Sequence, residues 1–137
     1  MIFDTGPLLA AANSKDPHHE VSVALLKATA IVSVPGPVVA EAGFMIGKIA
    51  GAIQEAAFLR SLSTERFRIL TPNPFELLRA AELVETYATL GLGTTDAIVM
   101  ALAESRDDPR VATLDHRHFG VVRPSGFAAF DLYPKLT

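Results

Sequence analysis

The 137-residue sequence predicts an α/β fold, three layers deep, with a parallel sheet at its centre. Three observations carry that prediction. Short runs of buried-strand character alternate along the chain with amphipathic helical patterns. The helical patterns open at capping or punctuating residues. Two stretches are apolar nearly all round, as a helix is when it lies inside a protein rather than on its surface. Strands separated by helices pair in parallel, and such a sheet needs helices over both faces.

Met1–Phe3 reads as the first strand, with a helix starting near Pro7. Asp16-Pro17 sets an N-cap before a proline at the first helical position, and an amphipathic run follows to about Ala28. Ile31–Val34 is the second strand. Pro37 opens a helix that runs through Gly47, and Gly51 to Leu62 reads as another. Phe67–Leu70 is the third strand. Asn73-Pro74 repeats the cap-and-proline device, with Glu76 in the first turn, for a helix to about Leu90 that Gly91 stops. Thr94 or Thr95 caps a helix to about Arg106, Val111–Leu114 is the fourth strand, and a last strand falls near Phe130–Tyr133.

Length and composition narrow the function. A chain of this size is expected to form a single domain, residues 1–137, around one core. With 50% hydrophobic and 20% charged residues it is not a disordered chain. The mean hydropathy of +0.32 raises the question of a membrane. Yet the longest uncharged stretch, Ala28 to Ala40, is too short to span and contains Pro35 and Pro37, while Asp4 interrupts the N-terminus before a secretory signal forms. A soluble, cytoplasmic protein with no membrane partner is expected. The absence of cysteine excludes disulfides, thiolate zinc sites and cysteine nucleophiles. No P-loop or GxGxxG sequence is present. A net charge of −3 is a poor profile for gripping nucleic acid by bulk electrostatics, so a nucleic-acid partner would need another attractor.

Most acids, such as Glu20, Glu55, Glu82 and Glu85, fall on polar helix faces. Four do not. Asp4 ends the strand Met-Ile-Phe and Asp115 ends Val-Ala-Thr-Leu, where the carboxyl ends of parallel strands border a ligand crevice. Glu41 is the only charge between Lys27 and Lys48, and Asp96 the only one between Glu85 and Glu104. Both are expected in first helical turns following strand-to-helix turns, near the core and at that same sheet edge. Each acid alone has a plain explanation as a cap or turn residue. Together they are harder to dismiss, because two carboxylates ~5 Å apart repel by roughly 3 kcal/mol at an effective dielectric near 20. Four in one pocket take up protons or bind a cation. Oxygen ligands without thiolates suit Mg²⁺ or Mn²⁺, and such an ion recruits phosphate and activates water, which answers the net-charge objection.

At this point the sequence resembles a known family. Ile-Phe-Asp-Thr at 2–5, Val-Val-Ala-Glu at 38–41, Thr-Thr-Asp-Ala at 94–97 with its apolar helix, and Ala-Thr-Leu-Asp-His-Arg-His-Phe at 112–119 stand in the order and spacing of PIN domains. The likeness is to the VapC toxin ribonucleases of prokaryotic toxin–antitoxin pairs, and it covers essentially the whole chain. It implies an α/β/α fold and a Mg²⁺ or Mn²⁺ site made by Asp4, Glu41, Asp96 and Asp115. It also implies endonucleolytic hydrolysis of RNA, typically tRNA or a ribosomal RNA loop, by metal-activated water, leaving 5′-phosphate and 3′-hydroxyl ends. A VapB-like antitoxin and a homodimer are the implied partners. One departure is Gly6, where the family commonly carries serine or another residue with more side chain.

The same residues admit other readings. Asp4-Thr5-Gly6 matches the aspartic-protease signature, but that fold is β-rich. A phosphatase of the haloacid-dehalogenase kind needs a second aspartate two residues after the first, where Gly6 stands. A PIN-type module that binds without cutting is disfavoured by the presence of all four acids. A two-histidine ribonuclease would use His116 and His118 as base and acid, yet their spacing points them apart in a strand, and they read as surface or structural residues. Phe119 is expected to pack beneath that loop. Arg117 and Arg123 are candidates for RNA phosphate contacts. His18-His19 reads as solvent-facing, and Gly43, Gly47 and Gly51 as close packing of a neighbouring helix in the core, with a dimer face as the second reading. Aromatics at 7%, with no tryptophan, leave few platforms for stacking bases.

Overall fold

Five parallel strands form one sheet: β1 (Ile2–Phe3), β2 (Val32–Pro35), β3 (Phe67–Leu70), β4 (Arg110–Ala112) and β5 (Asp131–Tyr133). Their spatial order is β3-β2-β1-β4-β5, with Ile2 beside both Ser33 and Val111. The structure, a computed structural model, describes residues 1–136. Among these described residues, seven α-helices connect and flank the strands: α1 (Thr5–Ala12), α2 (His19–Ala28), α3 (Gly36–Ala50), α4 (Ala52–Leu62), α5 (Pro74–Thr86), α6 (Thr94–Ser105) and α7 (His116–Val121). The predicted three-layer α/β/α class is what forms.

The topology follows from handedness. From β1 to β2 to β3 the chain steps outward in one direction, and right-handed crossovers put α1 to α4 together on one face. From β3 it returns past β1 to β4 and then β5, so α5, α6 and α7 cover the other face. Accordingly α1 packs on α2 and α3, α3 on α4, and α5 on α6. The reversal opens a crevice between the carboxyl ends of β1 and β4, the place where ligands bind in open parallel sheets.

The core sits on both faces of β1 and its neighbours. Phe3, Val32, Val34 and Val111 are fully buried, and α6 presents an unbroken buried run from Ala97 to Ala103. That run is the all-apolar helix predicted from sequence, enclosed on every side. At its far end Glu104 accepts from both Arg79 Nε (2.7 Å) and Arg79 Nη2 (3.0 Å), and from the Ser125 amide, tying α5, α6 and the C-terminal loop together. A bidentate, largely buried pair of this kind is far stronger than an exposed ion pair.

Local chemistry accounts for the places where expectation and structure part. Asn73 forms the predicted capping box with Glu76, but α5 ends at Thr86, and a 3₁₀ turn, Ala88–Leu90, leads to Gly91 at φ 72°. That conformation is open to glycine and costly for other residues. Asp16 does not cap α2 directly; it makes a turn in which its Oδ1 accepts from the His18 amide (2.8 Å). His19 is not solvent-facing, because its Nδ1 lies 2.9 Å from the Ala10 carbonyl and ties α2 to the end of α1. The small residues of α3 serve the close approach of α4: a Cβ at Gly43 would touch Phe58 and one at Gly47 would run into Glu55, while Gly51 turns the chain between the two helices at φ 90°.

Candidate functional site

The crevice is built from the ends of β1 and β4. Asp4 follows β1 directly and is 6% exposed, with its amide held by the Ala112 carbonyl (2.8 Å). It stands at the N-cap position of α1, yet its side chain makes no capping bond. Instead its Oδ2 accepts from the hydroxyl of Thr113 (2.9 Å), itself wholly buried at the end of β4. Thr113 Oγ1 in turn accepts from the Asp115 amide (3.0 Å), so one hydroxyl fixes both strand-end acids.

Asp115 caps α7: its Oδ1 accepts from the His118 amide (3.0 Å). Asp96 occupies the first turn of α6, as predicted, and is half-buried. The loop before α6 follows a 3₁₀ turn and not a strand, because α5 intervenes after β3. Glu41 departs further from expectation. With α3 beginning at Gly36, Glu41 lies in the second turn and is exposed, so it stands at the rim and not near the core. All four acids nevertheless line one cavity of about 560 Å³, together with Thr5, Gly6, Leu9, Met45 and Leu114. Gly6 is explained by that wall: a Cβ there would come 3.2 Å from Leu114, tighter than ordinary packing.

The electrostatics are those of acids held against their preference. Burial, followed by the charge of Asp96, pushes the Asp4 carboxyl up to about 6, and Glu41 adds to the effect. Asp96 is also raised, first by burial, with Asp115 and Glu41 contributing against the lowering effect of His118. Thr5 Oγ1 is buried in the same wall without a hydrogen-bond partner. A partnerless buried hydroxyl beside crowded carboxylates is a set of donors in want of a cation.

Two participants escaped the sequence reading. His118, expected at the surface or in a structural role, places Nδ1 2.9 Å from Asp115 Oδ2 and 3.3 Å from Asp96 Oδ2. Residues 116–121 are helical, so the strand spacing assumed for the two histidines does not apply. The available signal was Asp-x-x-His, which sets an N-cap acid against a side chain one turn into a helix. His116 points its Nε2 at the Thr113 carbonyl (3.1 Å), a local structural bond. Thr113 is the second: a lone hydroxyl at the end of an apolar strand.

Thr113→Val keeps the shape and removes the hydroxyl, leaving the Asp115 amide and Asp4 without their partner. The expected loss of stability is about 1–3 kcal/mol in urea unfolding, with Thr113→Ser retaining most of it. A valine variant as stable as the wild type would show that the hydroxyl does not join the two strand ends.

Comparison with known proteins agrees with this architecture. Residues 1–123 match the model of the PIN domain family. The chain is 32% identical over 135 residues to Ribonuclease VapC26 of Mycobacterium tuberculosis, covering 98% of this chain and all of that one. This chain belongs to the PIN domain family. Among solved structures it resembles Mycobacterium tuberculosis VapC20, described as a sarcin-ricin loop cleaving toxin, with a TM-score of 0.80 and 18% identity over 93% of this chain and 97% of that one. It also resembles VapBC2 of Rickettsia felis, solved bound to a DNA fragment from its promoter, with a TM-score of 0.69 and 19% identity over 98% and 100% of the two chains.

Proposed function

We propose that this protein is a metal-dependent endoribonuclease, the toxin of a type II toxin–antitoxin pair, hydrolysing phosphodiester bonds in tRNA or rRNA. One observation carries the reading: Asp4, Glu41, Asp96 and Asp115 meet around a single cavity in a PIN domain whose 32%-identical relative is a ribonuclease. Residues 1–137 act in this reading as one PIN-like unit.

The residues suit Mg²⁺ or Mn²⁺. Carboxylate oxygens are hard donors, Asp4 is raised by burial and then by the charge of Asp96, a cost that a cation relieves, and Thr5 offers a spare hydroxyl. A bound ion of this kind supplies charge against a phosphate and lowers the pKa of water. Asp4, Asp96 and Asp115 would hold it, with Glu41 completing the set from the rim. Thr113 keeps Asp4 and Asp115 in register, and the first turn of α7 orients Asp115. Arg117 and Arg123, both exposed, offer charge to the RNA backbone.

A cognate VapB-like antitoxin and a second copy of the chain are the proposed partners. Relatives solved as toxin–antitoxin complexes support the first. Exposed Phe44, Ile49 and Ile53 around the α3–α4 hairpin, and Phe75, Leu77 and Leu78 on α5, supply apolar surface for such contacts. No helix among the described residues is long and apolar enough to cross a membrane, and the proposed place of action is the cytoplasm.

The test is end-mapped sequencing of total cellular RNA incubated with the protein and Mg²⁺ or Mn²⁺. Discrete new 5′-phosphate ends are expected, lost with EDTA and with Asp96→Asn. Cleavage that survives both controls would overturn the metal-dependent reading, and a folded protein that binds Mn²⁺ and cuts nothing would be a binding module.

A further inference from the structure

We propose that His118 supplies a nitrogen ligand to the ion held at Asp96 and Asp115, biasing the site toward Mn²⁺ and related transition metals over Mg²⁺. The inference rests on the metal-site reading above and deepens it. Among the described residues, Asp96, Asp115 and His118 present one ligand atom each, all within 4.8 Å of one another. The two separations from Nδ1, 2.9 and 3.3 Å, match neighbouring corners of an octahedron, which lie about 3 Å apart when metal–ligand distances are about 2.1 Å. The position is held on both sides: the backbone of His118 is fixed by the Asp115 cap, and Phe119, 1% exposed, anchors the helix beneath it.

A second observation points to a ligand in the cavity that Asp96 and Asp115 share with Thr5. Thr5, 7% exposed, lines the cavity with Asp96 and Asp115, and its hydroxyl has no partner. Without an ion, His118 Nδ1 hydrogen-bonds to Asp96 and lies close to Asp115 Oδ2. With one, the proton resides on Nε2 and the Nδ1 lone pair faces the metal. Imidazole is a borderline-soft donor that first-row transition ions favour and that Mg²⁺, which prefers oxygen, does not. The chain would thereby discriminate between two ions that four carboxylates treat much alike.

The experiment uses the full chain loaded with Mn²⁺ alone and read by electron paramagnetic resonance, with calorimetric titrations of Mn²⁺ and Mg²⁺ alongside. The wild type is expected to show coupling of the manganese spin to one directly bound nitrogen. His118→Asn and His118→Gln are both expected to lose that coupling and about tenfold in Mn²⁺ affinity, with Mg²⁺ affinity changed less than twofold. Thermal melts confirm that the variants are folded. Mn²⁺ binding without nitrogen coupling in the wild type would overturn this inference and leave the carboxylate site standing. An equal loss of both ions in the variants would make His118 a positioning residue for the acids and likewise overturn it. A wild type that binds neither ion would overturn the metal-site reading itself.

Discussion

Asp4→Asn is expected to lower RNA cleavage on the order of a thousandfold while making the metal-free protein more stable at pH 7.5. The two effects share a cause. Asp4 lies buried among other acids, and burial with the charge of Asp96 raises its carboxyl from an ordinary 3.8 to about 6. Its pKa is higher in the fold than in the unfolded chain, so its contribution to stability is fully present below pH 3.8 and is lost as pH rises through about 6. At pH 7.5 the ionised group costs about 3 kcal/mol, which asparagine does not incur. Asparagine still offers an oxygen to the Thr113 hydroxyl. In metal-free buffer the variant should therefore melt roughly 5–10 °C above the wild type at pH 7.5, with the gap closing toward pH 5. Adding Mn²⁺ should raise the wild type more than the variant, since an ion stabilises in proportion to how tightly the folded chain binds it and the variant has lost one ligand. A variant that melts at or below the wild type without metal would mean that Asp4 is not held against its charge.

Phe119→Ala is expected to cost about 3–5 kcal/mol, lowering the melting temperature by roughly 10–15 °C. Phe119 is 1% exposed and packs edge-on against Phe130 with ring centroids 5.7 Å apart; Phe130 does the same with Phe127 at 5.5 Å. This aromatic stack joins α7 to the segment leading into β5, and α7 is the helix that Asp115 caps and His118 belongs to. Truncation should therefore loosen the site as well as the core, and RNA cleavage measured below the melting range should fall too. Phe119→Leu, which keeps most of the volume, should retain most of both. Cleavage unaffected in the alanine variant would show that the acids do not depend on the anchoring of α7.

Where sequence and structure agree, the cause is local. The strand at Phe67–Leu70 and the capping box of Asn73 and Glu76 depend on residues a few positions apart, and they form where the pattern places them. The apolar run from Ala97 to Ala103 had to be enclosed, because no arrangement leaves such a helix in water without cost. Asp4 and Asp96 were legible for a related reason: each breaks an apolar context, and a charge left among hydrophobic residues needs a compensating partner. Gly51 marked a boundary correctly because glycine adopts positive φ without cost, whereas Gly91 closes the 3₁₀ turn that follows α5 and not α5 itself.

What the chain could not disclose depends on contacts between distant residues. Asp4 and Thr113 are 109 positions apart, and their hydrogen bond exists only because β1 and β4 pair in one register. The exposure of Glu41 follows from where α3 begins against the sheet and not from its apolar neighbours. His118 meets Asp96 only after α6 and α7 come together at the sheet edge, and its separation of 22 residues carries no periodicity to reveal it. Sequence alone determined the fold class and the order of the strands, and it singled out the four acids that come to line one cavity, because these follow from local preference and from the apolar context each acid interrupts; the short helix α7 it did not reveal. Tertiary structure alone decided which acid is buried, which stands at the rim, and that a histidine joins them, because burial and proximity belong to the packed chain.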